Sequence, residues 1–228
     1  MIPLKDENPT QITPIFTVGL IVANVLVFLY ELSLGQRVEQ FVQLYGAVPH
    51  ALIQGAGPRL HGAIPPKLTV LTSMFLHGGF LHLGGNMLYL WIFGNNIEDV
   101  LGHVRFLLFY VISGYVAAYA HALSALHSTM PMIGASGAIS GVLGAYLVLF
   151  PKARVLTLVP FGFFVQVVRI PAVVVLGFWF VIQFISGTLS LGGTGEGVAW
   201  FAHVGGFAAG VVLILIFPRR KPYRYRWG

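Results

Sequence analysis

Long runs of apolar residues alternate with short polar segments along the chain. Six runs are apolar enough to be membrane helices. They cover residues 13–33, 74–95, 104–125, 136–150, 170–189 and 198–217. The pattern predicts an all-α polytopic membrane protein, built as a bundle of six transmembrane helices. We expect one membrane-embedded domain over residues 1–228, with its core over about 13–217 and a basic tail over 218–228.

Two connections between the runs are unusual. The first outer loop, residues 34–73, is long and contains four prolines together with apolar residues. It either lies in the membrane interface or forms a small folded hairpin outside the membrane. The last outer loop, Gly187 to Gly197, contains five glycines. This composition suits a mobile lid and, equally, a plain flexible connector.

The composition supports a membrane protein. Hydrophobic residues make up 57% of the chain and charged residues only 9%, whereas a soluble domain has about 25% charged residues. There are no cysteines, which excludes disulfides, thiol catalysis and thiolate metal sites.

The net charge of +6 comes from an uneven distribution of Lys and Arg. With both termini in the cytoplasm, ten of these residues lie inside and three outside, as the positive-inside rule requires. We therefore predict a multi-pass protein of a bacterial-type plasma membrane, in contact with lipid and not with nucleic acid. Residues 1–11 lack the features of a signal peptide, so the first run is expected to remain as a membrane helix.

The fourth run begins with GASGAISG, and Ser136 lies where the helix is predicted to start. In one interpretation Ser136 caps the helix and the glycines permit close helix packing. In the other, Ser136 is a nucleophile at a helix N-terminus, where free backbone N–H groups can bind an oxyanion. A lone GxSG motif favours the first interpretation.

The length of the fourth run favours the second interpretation. Ser136 to Phe150 is fifteen residues, or roughly 22 Å of helix against a hydrocarbon core of about 30 Å. A helix that ends at the inner interface therefore places Ser136 below the outer surface. The preceding residues must dip into the membrane, where irregular backbone occurs only around a protein-lined or water-filled cavity.

His203 is the candidate base. It lies a few residues below the outer end of the sixth run, at a depth similar to that of Ser136, and an ionisable residue inside the membrane is a functional candidate. The alternative is a structural histidine bonded to a backbone carbonyl. Small residues beside both side chains allow the two helices to approach closely. They are Ala199, Ala202, Gly206 and Gly210 on the sixth run, and Gly137, Ser140, Gly141 and Gly144 on the fourth.

No carboxylate is expected beside His203. Glu98 and Asp99 fall on the inner side, and Glu31 and Glu196 fall near outer ends or loops. The sequence therefore predicts a Ser–His dyad in which packing orients the imidazole.

The second run places His82 and Asn86 on one helix face, four residues apart. Two hydrogen-bond donors on one face suit an oxyanion site, and they also suit interhelical hydrogen bonds that hold the bundle together. His77 is expected at the membrane interface. A metal site of His77, His82 and His203 has little support without HExxH or paired carboxylates, so we predict no metal and no cofactor.

Taken together, these residues resemble the rhomboid family of intramembrane serine proteases. The matching motifs are HLGGN (82–86), GASG (134–137) and AHVGG (202–206), and EDVLGHVRF (98–106) is similar to the segment between helices two and three of bacterial members. The resemblance spans about residues 75–210 and includes the six-helix plan. The order of the motifs, on helices two, four and six, makes it specific.

The resemblance implies a serine endopeptidase with Ser136 as nucleophile and His203 as base. It assigns the oxyanion hole to His82, Asn86 and the backbone N–H groups of Ser136 and Ala135. It implies cleavage of transmembrane-protein substrates near their outer end, without a cofactor, and it specifies no oligomeric state.

The resemblance also implies that substrate enters laterally, past helix five and the Gly187–Gly197 lid. Some members carry an aromatic residue one turn after the nucleophile, stacked on the histidine. Ser140 occupies that position here, which leaves open what orients His203.

Two other functions remain as alternatives. A catalytically inactive relative that binds membrane clients would typically lack the serine or the histidine, and this chain has both. A small transporter would distribute polar residues through the full depth of the membrane. Here the polar intramembrane residues gather in the outer half, as a one-sided reaction chamber requires.

Overall fold

Most of the chain is helical in the structure, a computed structural model that describes residues 1–55, 64–161, 164–190 and 199–220. The helices are α1 (Ile15–Ser33), α2 (Val38–Tyr45), α3 (Pro49–Gln54), α4 (Pro66–Ser73), α5 (Phe80–Tyr89), α6 (Asn95–Leu101), α7 (His103–Ser124), α8 (Ser136–Leu149), α9 (Ala172–Ser190) and α10 (Trp200–Ile216). A 3-10 turn (Gly35–Arg37) precedes α2, and a π-helical segment (Leu90–Gly94) joins α5 to α6.

Within the described residues, three helices are long and apolar enough to cross a membrane, namely Ile15–Ser33, His103–Ser124 and Ala172–Leu189. Helices α8 and α10 are apolar but shorter. The second predicted run begins later than expected, because α5 starts at Phe80. A mostly helical membrane architecture is thus confirmed, while the count of six spans stays a prediction.

Helices α7, α8 and α10 form the centre of the bundle, where backbones touch without intervening side chains. A Cβ atom added at Gly206 would overlap the carbonyl oxygen of Gly137, and one at Gly210 would overlap that of Gly141. Such contact maximises van der Waals packing in lipid, which offers no hydrophobic drive for helix association. Of the small residues predicted to line the facing surfaces of the fourth and sixth runs, Gly137 and Gly141 contact Gly206 and Gly210 directly.

Two buried carboxylates hold the first helix at the opposite end of the bundle from Ser136. Glu98 accepts hydrogen bonds from the backbone N–H groups of Phe16 and Thr17, at 3.0 and 2.8 Å, and from His103 Nδ1 at 2.6 Å. Asp99 accepts one from the N–H of Ile12 at 3.1 Å. The bonds to Glu98 satisfy N–H groups in the first turn of α1 that have no intrahelical acceptor, and the bond to Asp99 holds the segment just before it.

The prediction of an all-α chain is wrong for three segments. β1 (Ile2–Asp6), β2 (Arg154–Phe161) and β3 (Phe164–Pro171) form an antiparallel sheet in the order β1-β2-β3. β2 and β3 are rich in Val and other residues that favour strands, and they connect α8 to α9 as a hairpin. Hydropathy alone does not reveal these strands, because it distinguishes membrane runs from polar segments and not strands from helices. We call this end of the bundle the sheet end.

The long first connection is not an open loop where the structure describes it. Residues 34–55 and 64–73 contain the 3-10 turn and helices α2, α3 and α4. Ala47 pairs with Met132 in an isolated bridge, which ties this connection to the segment before α8. Most of the predicted Gly187–Gly197 lid, and the tail beyond residue 220, lie outside the described residues.

At the sheet end, β1 carries a buried carboxylate, Asp6. It accepts hydrogen bonds from Tyr146 Oη at 2.7 Å and Asn96 Nδ2 at 2.8 Å. Burial outweighs these bonds and raises the pKa of Asp6 from 3.8 to about 6. The folded protein therefore holds a proton between about pH 4 and 6 that the unfolded chain has released. Stability contributed by this group falls as pH rises through that window.

We expect Asp6→Asn to stabilise the protein above pH 6, because the amide keeps an acceptor oxygen and carries no charge. A pKa shift of about two units corresponds to on the order of 3 kcal/mol in the free energy of unfolding. This is on the order of 5–10 °C in melting temperature. Melting temperatures in detergent at pH 4 to 8 would measure the difference from wild type. Glu7→Gln, which removes an exposed carboxylate from the same segment, is the control. A constant difference at all pH values would contradict the assignment.

Candidate active site

Ser136 and His203 are in hydrogen-bond contact. Ser136 is the first residue of α8, and His203 lies in the first turn of α10. Ser136 Oγ is 2.8 Å from His203 Nε2, within the range expected for a nucleophile and its base. Both side chains are partly buried. The structure therefore brings together the two residues that the sequence analysis paired.

The other ring nitrogen of His203 meets a side chain that the sequence analysis did not single out. Nδ1 is 2.6 Å from Oε1 of Gln183, in the middle of α9. An amide oxygen only accepts hydrogen bonds, so Nδ1 carries the proton and Nε2 is free to accept from the Ser136 hydroxyl. The expectation that packing alone orients the imidazole is therefore incomplete.

Aromatic rings also flank His203. The ring of Trp179 lies 5.9 Å away and tilted, and that of Trp200 lies 6.1 Å away and edge-on. Ser140, at the position where some family members carry an aromatic residue, donates a hydrogen bond to the Ser136 carbonyl at 2.6 Å. Trp179, on a neighbouring helix, thus supplies an aromatic contact to the imidazole that Ser140 does not.

The backbone before Ser136 is shaped by a glycine. Gly134 has φ of +116°, a conformation that other residues rarely adopt. Its N–H donates to the carbonyl of Ser73 at 2.8 Å. The first intrahelical bond of α8 runs from Ile139 N–H to the Ala135 carbonyl at 3.0 Å. The N–H of Ser136 therefore lies in a first turn whose amides have no acceptor within the helix.

His82 and Asn86 both face this turn. A Cβ atom at Gly134 would lie 2.6 Å from His82 Nε2 and 3.6 Å from Asn86 Nδ2. His82 Nδ1 accepts a hydrogen bond from the N–H of Gly78 at 3.3 Å, which leaves the proton on Nε2. His82 Nε2 and Asn86 Nδ2, two N–H donors on α5, thus lie beside Gly134, just before Ala135 and Ser136.

His77 holds the Asn86 amide in place. Its Nδ1 is 3.2 Å from the Phe75 carbonyl oxygen, and its Nε2 is 3.0 Å from Asn86 Nδ2. With the proton on Nδ1, Nε2 accepts one amide proton of Asn86 and leaves the other available. The N–H of His77 donates to Glu31 at 3.1 Å. His77 is only 3% exposed, so its side chain is buried within the protein, and its expected position at the depth of the membrane interface stays a prediction.

A small cavity of about 40 Å³ adjoins Ser136. Its walls come from α4, α7, α8 and α10 and from the residues before α8, and they include Ser73 and Gly134. The volume exceeds the roughly 10–15 Å³ that a water molecule requires. Water, the second reactant in any hydrolysis, can therefore be accommodated beside the hydroxyl.

Gln183 was not predicted to belong to the site, and His77 was predicted without its contact to Asn86; the sequence carries different signals for the two. Gln183 lies between Ile182 and Phe184 in the fifth apolar run, and a polar side chain at such a position is a functional candidate by itself. His77 lies nine residues before Asn86, with a turn between them. No periodicity connects residues across such a turn, so only the structure shows this contact.

Comparison with known proteins places the chain in a family. A model of the Rhomboid domain matches residues 67–220. The chain is 34% identical over 202 residues to the rhomboid protease GluP of Bacillus subtilis, a match that covers 88% of this chain and 35% of that protein. It is 38% identical over 100 residues to the mitochondrial rhomboid protein 1 of Saccharomyces cerevisiae, covering 42% and 29%.

A plant relative gives a similar match. RHOMBOID-like protein 1 of Arabidopsis thaliana is 34% identical over 157 residues, which covers 68% of this chain and 36% of that protein. The chain thus spans about a third of the length of the curated relatives it matches. The match to the domain model covers well over half of the chain. The chain belongs to the rhomboid family and is an integral membrane protein.

Proposed function

We propose that this protein is an active intramembrane serine endopeptidase that uses Ser136 and His203. The observation that carries the proposal is the 2.8 Å contact between Ser136 Oγ and His203 Nε2 at the start of a short membrane helix. Membership of a family that includes serine proteases supports it, as does the similarity to a relative named as a protease. Retention of both side chains disfavours an inactive client-binding relative.

The proposed reaction begins with proton transfer. As Ser136 Oγ attacks the carbonyl carbon of the scissile peptide bond, its proton moves to His203 Nε2. The imidazolium then donates this proton to the leaving amine, and the acyl group stays on Ser136. A water molecule, deprotonated by the same nitrogen, hydrolyses the acyl-enzyme and returns Ser136 to its starting state.

The proposed oxyanion hole lies between α5 and the start of α8. His82 Nε2, the free N–H of the Asn86 amide and the backbone N–H of Ser136 stabilise the tetrahedral intermediate, together with that of Ala135. These donors are oriented before substrate arrives, because His82 Nδ1 already accepts from the N–H of Gly78 and the Asn86 amide nitrogen already donates to His77. Fixed dipoles lower the barrier without reorganisation during the reaction.

We place this site in the outer half of the membrane, in a single domain of six spans with both termini in the cytoplasm. Helix α8 has fourteen residues, or about 21 Å, so Ser136 lies below the outer surface if α8 ends at the inner one. A transmembrane segment of a substrate protein would enter from lipid past α9 and be cut near its outer end. No nucleic acid, metal or cofactor is needed.

Ser136→Ala should abolish cleavage of a model single-span substrate in liposomes, because no other hydroxyl contacts His203 in the described residues. Labelling by a fluorophosphonate probe should disappear as well. Cleavage products on a gel and probe fluorescence measure the two effects.

The matched control for Ser136→Ala is Ser140→Ala, a buried serine one turn further along α8. It should retain cleavage and labelling. Undiminished cleavage by a folded Ser136→Ala protein would remove the nucleophile assignment.

Substitutions of the two donors on α5 distinguish catalysis from packing. His82→Ala and Asn86→Ala should each lower kcat by about 10²–10³, the cost of losing one oxyanion donor elsewhere, with KM and melting temperature near wild type. Because the hole is shared, the double variant should lose less than the product of the two single losses. If the variants have a much lower melting temperature yet keep near-normal kcat in the cold, the two donors only hold the bundle together.

Gly134→Ala should also impair the reaction. The Cβ of the new alanine would press on His82 Nε2, and the residue would have to adopt φ of +116°. This backbone strain is on the order of 1–3 kcal/mol. We expect kcat to fall by roughly 10-fold or more, a loss of about 1.4 kcal/mol in transition-state stabilisation. Gly85→Ala on α5, whose Cβ would meet nothing within 4 Å, should keep wild-type kcat. Equal activities of the two variants would contradict the proposed position of the hole.

A further inference from the structure

Gln183 occupies an unusual position on α9. Its neighbours Ile182 and Phe184 are 41% and 50% exposed, whereas Gln183 is 8% exposed. The helix therefore presents apolar side chains outward, where lipid surrounds the protein, and one amide inward. An amide in an apolar helix is costly to bury unless it is hydrogen-bonded, and here it contacts His203.

The contact completes a chain of three side chains. Ser136 Oγ–H donates to His203 Nε2, and His203 Nδ1–H donates to Gln183 Oε1, at 2.8 and 2.6 Å. The third member of such a chain selects the tautomer and orientation of the imidazole, and an amide serves this role in some proteases. A carboxylate would carry a charge that is expensive inside a membrane, whereas the neutral amide offers the same acceptor geometry.

We propose that Gln183 is a positioning residue that holds His203 in its reactive tautomer, so that α9 takes part in forming the active site. This rests on the proposed protease function. The orientation of the His203 ring then depends on the position of α9 relative to α10. The two helices contact each other through Phe180 on α9 and Phe207 on α10, whose ring centroids are 4.6 Å apart. Gln183 contacts Nδ1 of His203, the ring nitrogen that faces away from Ser136, and acts through His203.

Gln183→Met tests the role, because methionine has similar length and flexibility and no strong acceptor. We expect kcat to fall by roughly 10- to 100-fold, the loss found when the partner that orients a metal-binding histidine is removed, with KM within about 2-fold of wild type. Gln183→Glu keeps an acceptor oxygen at the same reach and should recover much of the loss in kcat, at the cost of a lower melting temperature because it buries a charge. Ile182→Met places the same new side chain at the adjacent exposed position and is the control, with wild-type kcat.

A second measurement does not depend on any variant being active. In wild type labelled with 15N-histidine, the His203 ring should be protonated on Nδ1, and the same tautomer should persist in Ser136→Ala. Gln183→Met should lose this preference. His203→Ala identifies the signal by its disappearance.

The outcomes separate this inference from the proposed function. If wild type cleaves substrate and folded Gln183→Met keeps kcat within about 2-fold, the positioning role is overturned. If Gln183→Met does not fold, an Nε2-protonated His203 in wild type overturns it and an Nδ1-protonated ring supports it. A wild-type protein that neither cleaves substrate nor labels with the fluorophosphonate instead refutes the protease function.

Discussion

The backbone contact between α8 and α10 is the constraint on which the candidate site depends. Gly206 and Gly210 lie against the backbone of Gly137 and Gly141, so no side chain separates the two helices. Ser136 directly precedes the first of these contacts on α8, and His203 is one turn before it on α10. The distance between hydroxyl and imidazole is therefore set by helix packing, which in lipid rests on close van der Waals contact rather than hydrophobic burial.

The second feature of the site is its use of neutral polar groups. Hydroxyl, imidazole and amide side chains contact one another around Ser136, and His203 forms no ion pair in the part of the chain that the structure describes. A neutral hydrogen bond gives direction without the desolvation cost of a buried ion. Among the described residues, the Glu31 carboxylate contacts this network by accepting a hydrogen bond from the backbone N–H of His77.

At the sheet end, by contrast, buried carboxylates stabilise the fold. Glu98 is fully buried, yet several N–H and O–H donors compensate it, and it fixes the start of α1. The β-sheet links the N-terminal segment to the connection between α8 and α9. At the sheet end, buried carboxylates and strand pairing thus hold the helix ends. At the opposite end, glycine contacts and side-chain amides hold the candidate site.

The sequence by itself determined the family, the helical membrane character and the pairing of Ser136 with His203, because hydropathy, small-residue spacing and short motifs are local properties of the chain. It also indicated that His82 and Asn86 share a face. It missed the β-sheet, since strands at the end of a membrane protein share the apolar composition of its helices. Only the tertiary structure decided that Gln183 meets His203 and that His77 meets Asn86. Those contacts join residues from different helices or across a turn, and their formation depends on how the elements pack rather than on any period along the sequence.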